Sequence, residues 1–501
     1  MPFGSWNERS LVLVLCAVAA VRVFVFSAAF PFFNNLDEQA HFDLVIKYSR
    51  GWPVQGFEPY CAESAHYLAR YQAPEYLNIP DEFPGGKFPR PVWTAAVANV
   101  SDLIQKREDA WESTINLEGV QPPLYYWVAG LWLRVGRLLG VAGGHLLYWI
   151  RFVNVPVIVG VVWLSFVTAR MIFPERRVVR LGVPLLAAFL PQDAFYSIQN
   201  DVLSPLCFGV AFICLLSVLD EGSTSAPVAV LGGLALAGSG FVKEANLPLI
   251  AVVVLAVVIR ACGLIRAAAL HAALPKVLFL LSVILPIGAW LAWNRFTQGQ
   301  FTVSAGKTDR MGWTLKPLGD WWHHPIFTPA GLWTFWSEFS AKFWRGGFVW
   351  EGQPLASPTA DAFYSLSSAL FPALGVLSIR RRFAGTTDRQ SRCLWIAFWG
   401  FVASVAFLAL VSIAFAFGKW PAPSREHPYL TAGRLASGAL IPFLLLYVRG
   451  MDWALSGFRN EWAQWLALAG IVLLVTISEI SVNSVAFGSE YNWFHLIKGA
   501  T

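Results

Sequence analysis

Apolar residues run in blocks along most of this chain, and polar residues gather between the blocks. About twelve apolar segments are legible: 11–30, 122–140, 146–172, 181–199, 202–219, 226–241, 246–260, 277–295, 364–380, 394–417, 434–448 and 463–483. A helix needs roughly 20 residues at 1.5 Å each to cross the hydrocarbon core of a bilayer. The pattern therefore predicts an all-α polytopic membrane protein, a bundle of about 11–12 transmembrane helices. The first segment is too long for a removed signal peptide and ends without a small-residue cleavage site, so it is expected to be an anchor.

Two loops break this rhythm, and the chain is expected to be one membrane domain, 1–501, that contains both. Loop 31–121 holds 13 acidic and 7 basic residues. Its amphipathic stretches His66–Tyr71 and Asp102–Trp111 predict helices lying on the membrane surface. Loop 296–361 carries Trp313, Trp321, Trp322, Trp333, Trp336, Trp344 and Trp350. Indole rings favour the bilayer interface, so this loop is expected to lie along the outer surface.

Composition supports the pattern. The chain is 56% hydrophobic and 14% charged, with a mean hydropathy of +0.53. A soluble chain of this length carries about 25% charge, so the apolar surplus belongs to lipid. The net charge of +6 does not point to nucleic acid, because the basic residues cluster in short loops. These are Arg176, Arg177 and Arg180; Arg260, Arg266 and Lys276; Arg380, Arg381, Arg382, Arg389 and Arg392; and Arg449 and Arg459. They alternate with the other loops, which puts them in the cytoplasm and the acidic first loop outside. That arrangement needs an odd number of crossings between 31–121 and 174–180, whereas hydropathy offers two segments. Arg134 and Arg137 would be costly at depth, so 122–140 is expected to be partial or interfacial. Eleven crossings follow, with the N-terminus inside and the C-terminus outside. Of the six cysteines only Cys61 lies clearly in an external loop, and no C-x-x-C pair exists.

Candidate chemistry sits at predicted outer rims. Asn34-Asn35-Leu36-Asp37-Glu38-Gln39-Ala40-His41-Phe42 follows the first span. Asp37 is a good helix N-cap, and as i and i+4 it would share a helix face with His41. A carboxylate half withdrawn from water is a stronger base than one in solution. Asp37, Glu38 and His41 are also candidate ligands for a divalent cation, and spacing does not separate the two roles. Gln121-Pro122-Pro123-Leu124-Tyr125-Tyr126-Trp127 opens the next segment, where a Pro pair is structurally ordinary. Asn200-Asp201 forms a predicted external turn. Lys243, Lys342, Arg345, Arg425 and Arg434 fall outside, against the positive-inside bias, and suit an anionic headgroup. No Gly-rich phosphate loop, dinucleotide fingerprint, His-Glu-x-x-His or Gly-x-Ser-x-Gly occurs, which excludes a soluble nucleotide-driven mechanism of those types.

In this order the motifs resemble the GT-C membrane glycosyltransferases. Leu36-Asp37-Glu38-x-x-His41-Phe42 resembles the first-loop motif of protein O-mannosyltransferases and of the aminoarabinose transferases of lipid A. Gln121-Pro122-Pro123-Leu124-Tyr125-Tyr126-Trp127 resembles their Lys-Pro-Pro-Leu-x-Tyr-Trp segment. Asn200-Asp201 sits where that family places a second acidic residue. Phe343–Trp350 and Ala432-Gly433-Arg434-Leu435 resemble segments of an uncharacterised bacterial branch.

The resemblance implies a GT-C-like bundle in a bacterial inner (plasma) membrane, with 31–121 as the catalytic loop on the external, periplasmic side. It implies a polyprenyl-phosphate-linked sugar donor and a glycan, lipid or protein acceptor. Asp37 would be the base. Glu38 and Asp201 would support the acceptor or a metal. His41, Gln121, Tyr125, Asn200 and the external cations would bind substrate, with Arg434 or another cation on the lipid phosphate. Two departures stand out: Gln121 replaces a lysine, and Leu435 replaces a tyrosine. A carrier or flippase for lipid-linked saccharide, and a glycan polymerase or ligase, are the alternative readings.

Overall fold

The chain is described here by a computed structural model over residues 7–33, 35, 37–54, 56–220, 224–302, 304–380, 387–418, 423–458 and 461–498. Asn34 and Leu36 of the acidic motif, and Arg381, Arg382 and Arg459 of the basic loops, lie outside the described residues. The protein is all-α and polytopic. Among the described residues nine helical stretches are long and apolar enough to cross a membrane.

In chain order the helices are α1 (Glu8–Ala29), α2 (Glu38–Ser49), α3 (Ala62–Tyr71), α4 (Val97–Glu112), α5 (Leu124–Leu138), α6 (Gly144–Arg151), α7 (Asn154–Ile172), α8 (Arg177–Ala188) and α9 (Ser204–Val218). They continue as α10 (Ala226–Val242), α11 (Leu247–Arg266), α12 (Leu270–Gln298), α13 (Ser304–Arg310), α14 (Pro329–Arg345), α15 (Pro358–Arg380), α16 (Asp388–Ala414), α17 (Leu440–Ala454), α18 (Trp462–Asn483) and α19 (Trp493–Lys498). Among the described residues strands are confined to two short antiparallel pairs: β1 (Thr314–Leu315) with β4 (Phe415–Ala416), and β2 (Val349–Trp350) with β3 (Gln353–Pro354).

The centre of the bundle is α17, buried at every residue from Leu440 to Asp452. It is packed by α8, α15 and α16. It meets α15 closely because Gly450 faces Phe371 and Gly375 faces Leu446; a Cβ on Gly450 would fall 1.8 Å from the Phe371 carbonyl oxygen. A 3₁₀ segment, Gly433–Ala439, leads into its N-terminal end and carries Arg434.

Segment 122–140 forms α5, which has 15 residues and is not among the nine long spans. It packs on α2, with Arg134 Nε donating to the Ser49 carbonyl and Arg137 paired with Glu63 of α3. Those partners belong to the first loop, so the helix lies with that loop. Segment 181–199 is not one continuous helix. It becomes the 12-residue α8, with Pro184 inside it, followed by irregular chain to Asn200. That backbone is buried against α1 and α7 rather than lipid, which is where a broken helix is tolerated. At 17 residues α10 is also short, and it packs along α9 and α12.

The amphipathic stretches of the first loop form α3 and α4, which pack on each other. The tryptophans of the second loop divide. Trp322 and Trp333 are exposed, but Trp344 is buried and stacked on Tyr364 at 5.2 Å. The helix α14 thus turns part of its aromatic face into the bundle.

The basic loops gather at one end. Arg180 pairs with Glu8 at 2.6 Å, Gln390 donates to the Ile172 carbonyl at 2.8 Å, and Arg389 reaches Asp220 at 3.3 Å. Asp37 of the acidic first loop meets Asp201 and Arg434 at the other end.

Candidate active site

Asp37 caps α2 from outside the helix. Its backbone is left-handed, with φ of 62°, and its side chain makes no capping hydrogen bond. Such a conformation is costly for a residue with a Cβ and persists only when neighbours enforce it. They do so on both sides. Asn35 Oδ1 accepts from the Val349 N–H at 3.0 Å, which pins the chain before Asp37 to β2. Glu38, immediately after it, is buried in a bidentate pair with Arg151 of α6, at 2.7 and 2.6 Å. Glu38 also accepts the Ile198 N–H at 2.9 Å, and Arg151 donates to the Pro31 carbonyl at 2.7 Å and lies 3.8 Å over the Phe32 ring. With its neighbours fixed inward, Asp37 points outward and its side chain keeps 52% of its exposure.

Asp37 and His41 do not share a face, because Asp37 lies before the helix begins. His41 is buried and its Nδ1 is 2.7 Å from the Tyr126 hydroxyl. Burial pushes its imidazole down to about 3, with Lys243, Arg434 and Lys307 adding to the effect and Glu118 opposing it. His41 is neutral at physiological pH.

Arg434 joins the first loop to the bundle. Its Nη2 is 3.5 Å from Asp37 Oδ2, and its Nε is 3.4 Å from Asp201 Oδ2. Gly433 permits this placement: a Cβ there would fall 2.1 Å from the Phe343 backbone nitrogen of α14. Asp201 is 1% exposed, and Lys243 Nζ stands 3.8 Å from it. Charge-assisted hydrogen bonds are normally about 2.7–2.9 Å long, so these contacts are loose. Both carboxylate oxygens of Asp201 are buried without a hydrogen-bond partner among the described residues.

A polar chain continues from there. Lys243 Nζ donates to Asn200 Oδ1 at 3.1 Å, Asn200 Nδ2 donates to Gln121 Oε1 at 3.3 Å, and Gln121 Nε2 donates to Glu118 Oε2 at 2.6 Å. Glu118 forms an ion pair with Lys307 of α13. Burial would raise the Glu118 carboxyl, but Lys307, His41 and Lys243 outweigh it and hold the group well below the usual carboxylate range. Burial would likewise lower Lys307, and Glu118 and Asp37 outweigh it and raise the ammonium. The cluster thus balances Asp37, Glu118 and Asp201 against Lys243, Lys307 and Arg434.

Not every expected residue joins. Glu38 is fully used by Arg151. Tyr125 is buried behind Tyr126, with ring centres 5.6 Å apart. Lys342 donates to Thr431 Oγ1 at 2.7 Å and pairs with Glu338 at 3.2 Å. Arg345 holds Asp361 through both carboxylate oxygens, at 2.8 and 2.9 Å. Arg425 is exposed, and among the described residues no ion pair links it to the cluster. Nor do Asp37, Glu38 and His41 converge as metal ligands. One faces Arg434, one Arg151 and one Tyr126, and the described residues contain no group of three or more His, Cys, Asp or Glu able to hold a metal ion.

The sequence reading missed Glu118, Lys307, Tyr126 and Arg151. Arg151 carried a signal, since an arginine inside apolar segment 146–172 needs a partner. Glu118 stands three residues before Gln121, and the turn over 117–120 brings the two side chains together. Lys307 had nothing in the sequence to set it apart from the other cations.

No family model matches the sequence, and no curated protein matches it. Solved structures do. The archaeal oligosaccharyltransferase AglB from Archaeoglobus fulgidus, in complex with an inhibitory peptide and a dolichol-phosphate, is 11% identical with a TM-score of 0.43, over 97% of this chain. The chain spans only 56% of the length of that protein. ArnT from Cupriavidus metallidurans bound to undecaprenyl phosphate is 14% identical with a TM-score of 0.45, over 97% of this chain and 78% of that one.

Proposed function

We propose that this chain is a membrane glycosyltransferase that moves a sugar from a polyprenyl-phosphate-linked donor to an acceptor hydroxyl on the outer membrane face. The observation that carries the reading is Arg434, held loosely between exposed Asp37 and buried Asp201 at 3.5 and 3.4 Å. A cation so placed has donors to spare for a further anion, beside a carboxylate open to an incoming hydroxyl.

Asp37 is the general base. The acceptor oxygen bonds to the anomeric carbon while its proton passes to Asp37. The bond from that carbon to the phosphate oxygen breaks, and its electron pair leaves with the phosphate. Arg434 and Lys243 meet the charge that develops there, and Arg does so with paired donors. Asp201, buried and between the two cations, orients them. Glu38 is a positioning residue that locks the chain behind Asp37. Gln121 stands where the resembled Lys-Pro-Pro segment has a lysine; it is neutral, and Lys243 and Lys307 bring positive charge to that place through Asn200 and Glu118. Among the described residues no group of three His, Cys, Asp or Glu could hold a metal ion, and no step here runs through one.

The test is transfer of label from radiolabelled polyprenyl-phosphate sugars in membranes holding equal amounts of wild type and Asp37→Asn. Loss of about 100-fold or more is expected. Undiminished transfer by the variant overturns the assignment.

A further inference from the structure

Asp37 belongs to the first loop and Arg434 to the bundle, and their own contact is loose at 3.5 Å. Their spacing is set elsewhere, by the stretch Phe343–Trp350. At one end of it, the Phe343 backbone of α14 seats Gly433, next to Arg434. Towards the other end, Asn35 grips Val349 from both sides. The Val349 N–H donates to Asn35 Oδ1 at 3.0 Å, and the Val349 carbonyl accepts from Asn35 Nδ2 at 3.3 Å. The Asn35 carbonyl in turn accepts the Glu38 N–H at 3.0 Å, which closes a turn around Asp37. One short length of backbone thus runs from the seat of Gly433 to the turn that holds Asp37.

Asp193 ties that length to the bundle. Its Oδ2 accepts the Phe348 N–H at 2.7 Å, the length of a charge-assisted bond. Beside it, Gln192 Nε2 donates to the Lys342 and Phe343 carbonyls at 3.1 and 2.8 Å. Gly346 makes room for this approach: its φ is 89°, and a Cβ there would fall 1.7 Å from Asp193 Oδ1. Asp193 and Asn35 are both buried. Burying such groups is costly unless they are hydrogen-bonded, and both spend bonds on this one stretch of main chain. Apolar packing is non-directional, whereas these bonds fix Phe348 and Val349 in place.

We infer that Asp193 and Asn35 are positioning residues that set Asp37 against Arg434 through Phe348 and Val349. The segment that carries Asp193 and Asp201 has anchors of its own. The Phe195 carbonyl accepts from Ser27 Oγ at 3.3 Å and from Asn154 Nδ2 at 3.0 Å, and the Ser197 carbonyl accepts from Asn154 Nδ2 at 2.8 Å. Loss of the Asp193 carboxylate therefore frees the turn at Asp37 and leaves Asp201 and Arg434 where they are. The effect on catalysis rests on the transferase reading; the spacing itself does not.

The experiment has two arms, both on the full chain in lipid nanodiscs. In a cysteine-free background, Asp37→Cys and Arg434→Cys together should be joined by a short bis-methanethiosulfonate. Adding Asp193→Leu or Asn35→Ala should slow the joining by about tenfold or more. Adding Asp193→Asn, whose amide oxygen still accepts the Phe348 N–H, should not. In otherwise wild-type protein, the same Leu and Ala variants should lower kcat for transfer by about tenfold or more and leave donor KM within about twofold. Asp193→Asn should keep both. Asn35→Ala keeps the question answerable if Asp193→Leu does not fold. Normal joining and normal kcat in folded variants overturn the inference, as does a raised donor KM with kcat intact. No transfer by wild type from any polyprenyl-phosphate donor, with joining still slowed by the variants, sinks the transferase reading and leaves the positioning in place. Transfer that needs Asp37 but is indifferent to Asn35→Ala and Asp193→Leu does the reverse.

Discussion

At the residue scale, Glu38 is 1% exposed with a bidentate guanidinium partner, while Asp37 next to it keeps half of its side chain in water. Removing one member of a buried ion pair strands the other charge, at roughly 3–5 kcal/mol. Glu38→Gln and Arg151→Gln should therefore lower folded yield and melting temperature sharply, whereas Asp37→Asn should leave both near wild type. Thermal unfolding in detergent compares them. The motif itself was legible from the sequence, but the division of labour within it was not, because Arg151 lies 113 residues away. Glu75 offers a second check. Burial pushes its carboxyl up to about 7, against the hydrogen bond from Ser489 and with the charges of Glu351 and Glu490 adding to the effect. The folded state then holds the proton more tightly than the unfolded state. Its contribution to stability is full below about pH 4 and is lost as pH rises through about 7. Glu75→Gln should thus make the melting temperature fall less between about pH 4 and 8 than it does in wild type.

At the scale of elements, hydropathy and charge read α3, α4 and most of the spans, because amphipathic period and apolar length are local properties. Arg134 and Arg137 likewise marked α5 as unfit to cross. What stayed hidden depends on packing. The break after α8 is affordable only because other helices bury it, and Trp344 faces inward only because Tyr364 is there to receive it. The approach of segment 433–439 to α14 is of the same kind. Gly433→Ala must push these apart, since a Cβ 2.1 Å from the Phe343 nitrogen has no room. It should displace Arg434 and cut transfer severely, by about tenfold or more, while the protein remains in the membrane. Near-normal transfer by Gly433→Ala would mean that Arg434 does not need its present position.

At the scale of the molecule, the two ends differ in chemistry. Arg180, Arg389 and Gln390 meet Glu8, Asp220 and Ile172 at one end, while Asp37, Glu118, Asp201 and Arg434 meet at the other. With α5 packed on the first loop, α6 and α7 together make one helical stretch long and apolar enough to cross a membrane. In a cysteine-free background, Asp109→Cys on α4 should react with a membrane-impermeant maleimide in intact cells, and Arg176→Cys should react only after permeabilisation. The central claim is that one end of this bundle activates a hydroxyl with Asp37 and holds a lipid phosphate with Arg434. The most direct measurement is steady-state transfer by purified protein in proteoliposomes, with the donor concentration varied. Asp37→Asn should lower kcat with little change in donor KM, and Arg434→Gln should raise donor KM as well as lower kcat. Transfer by Asp37→Asn at the wild-type kcat, or an unchanged donor KM in Arg434→Gln, would contradict the account.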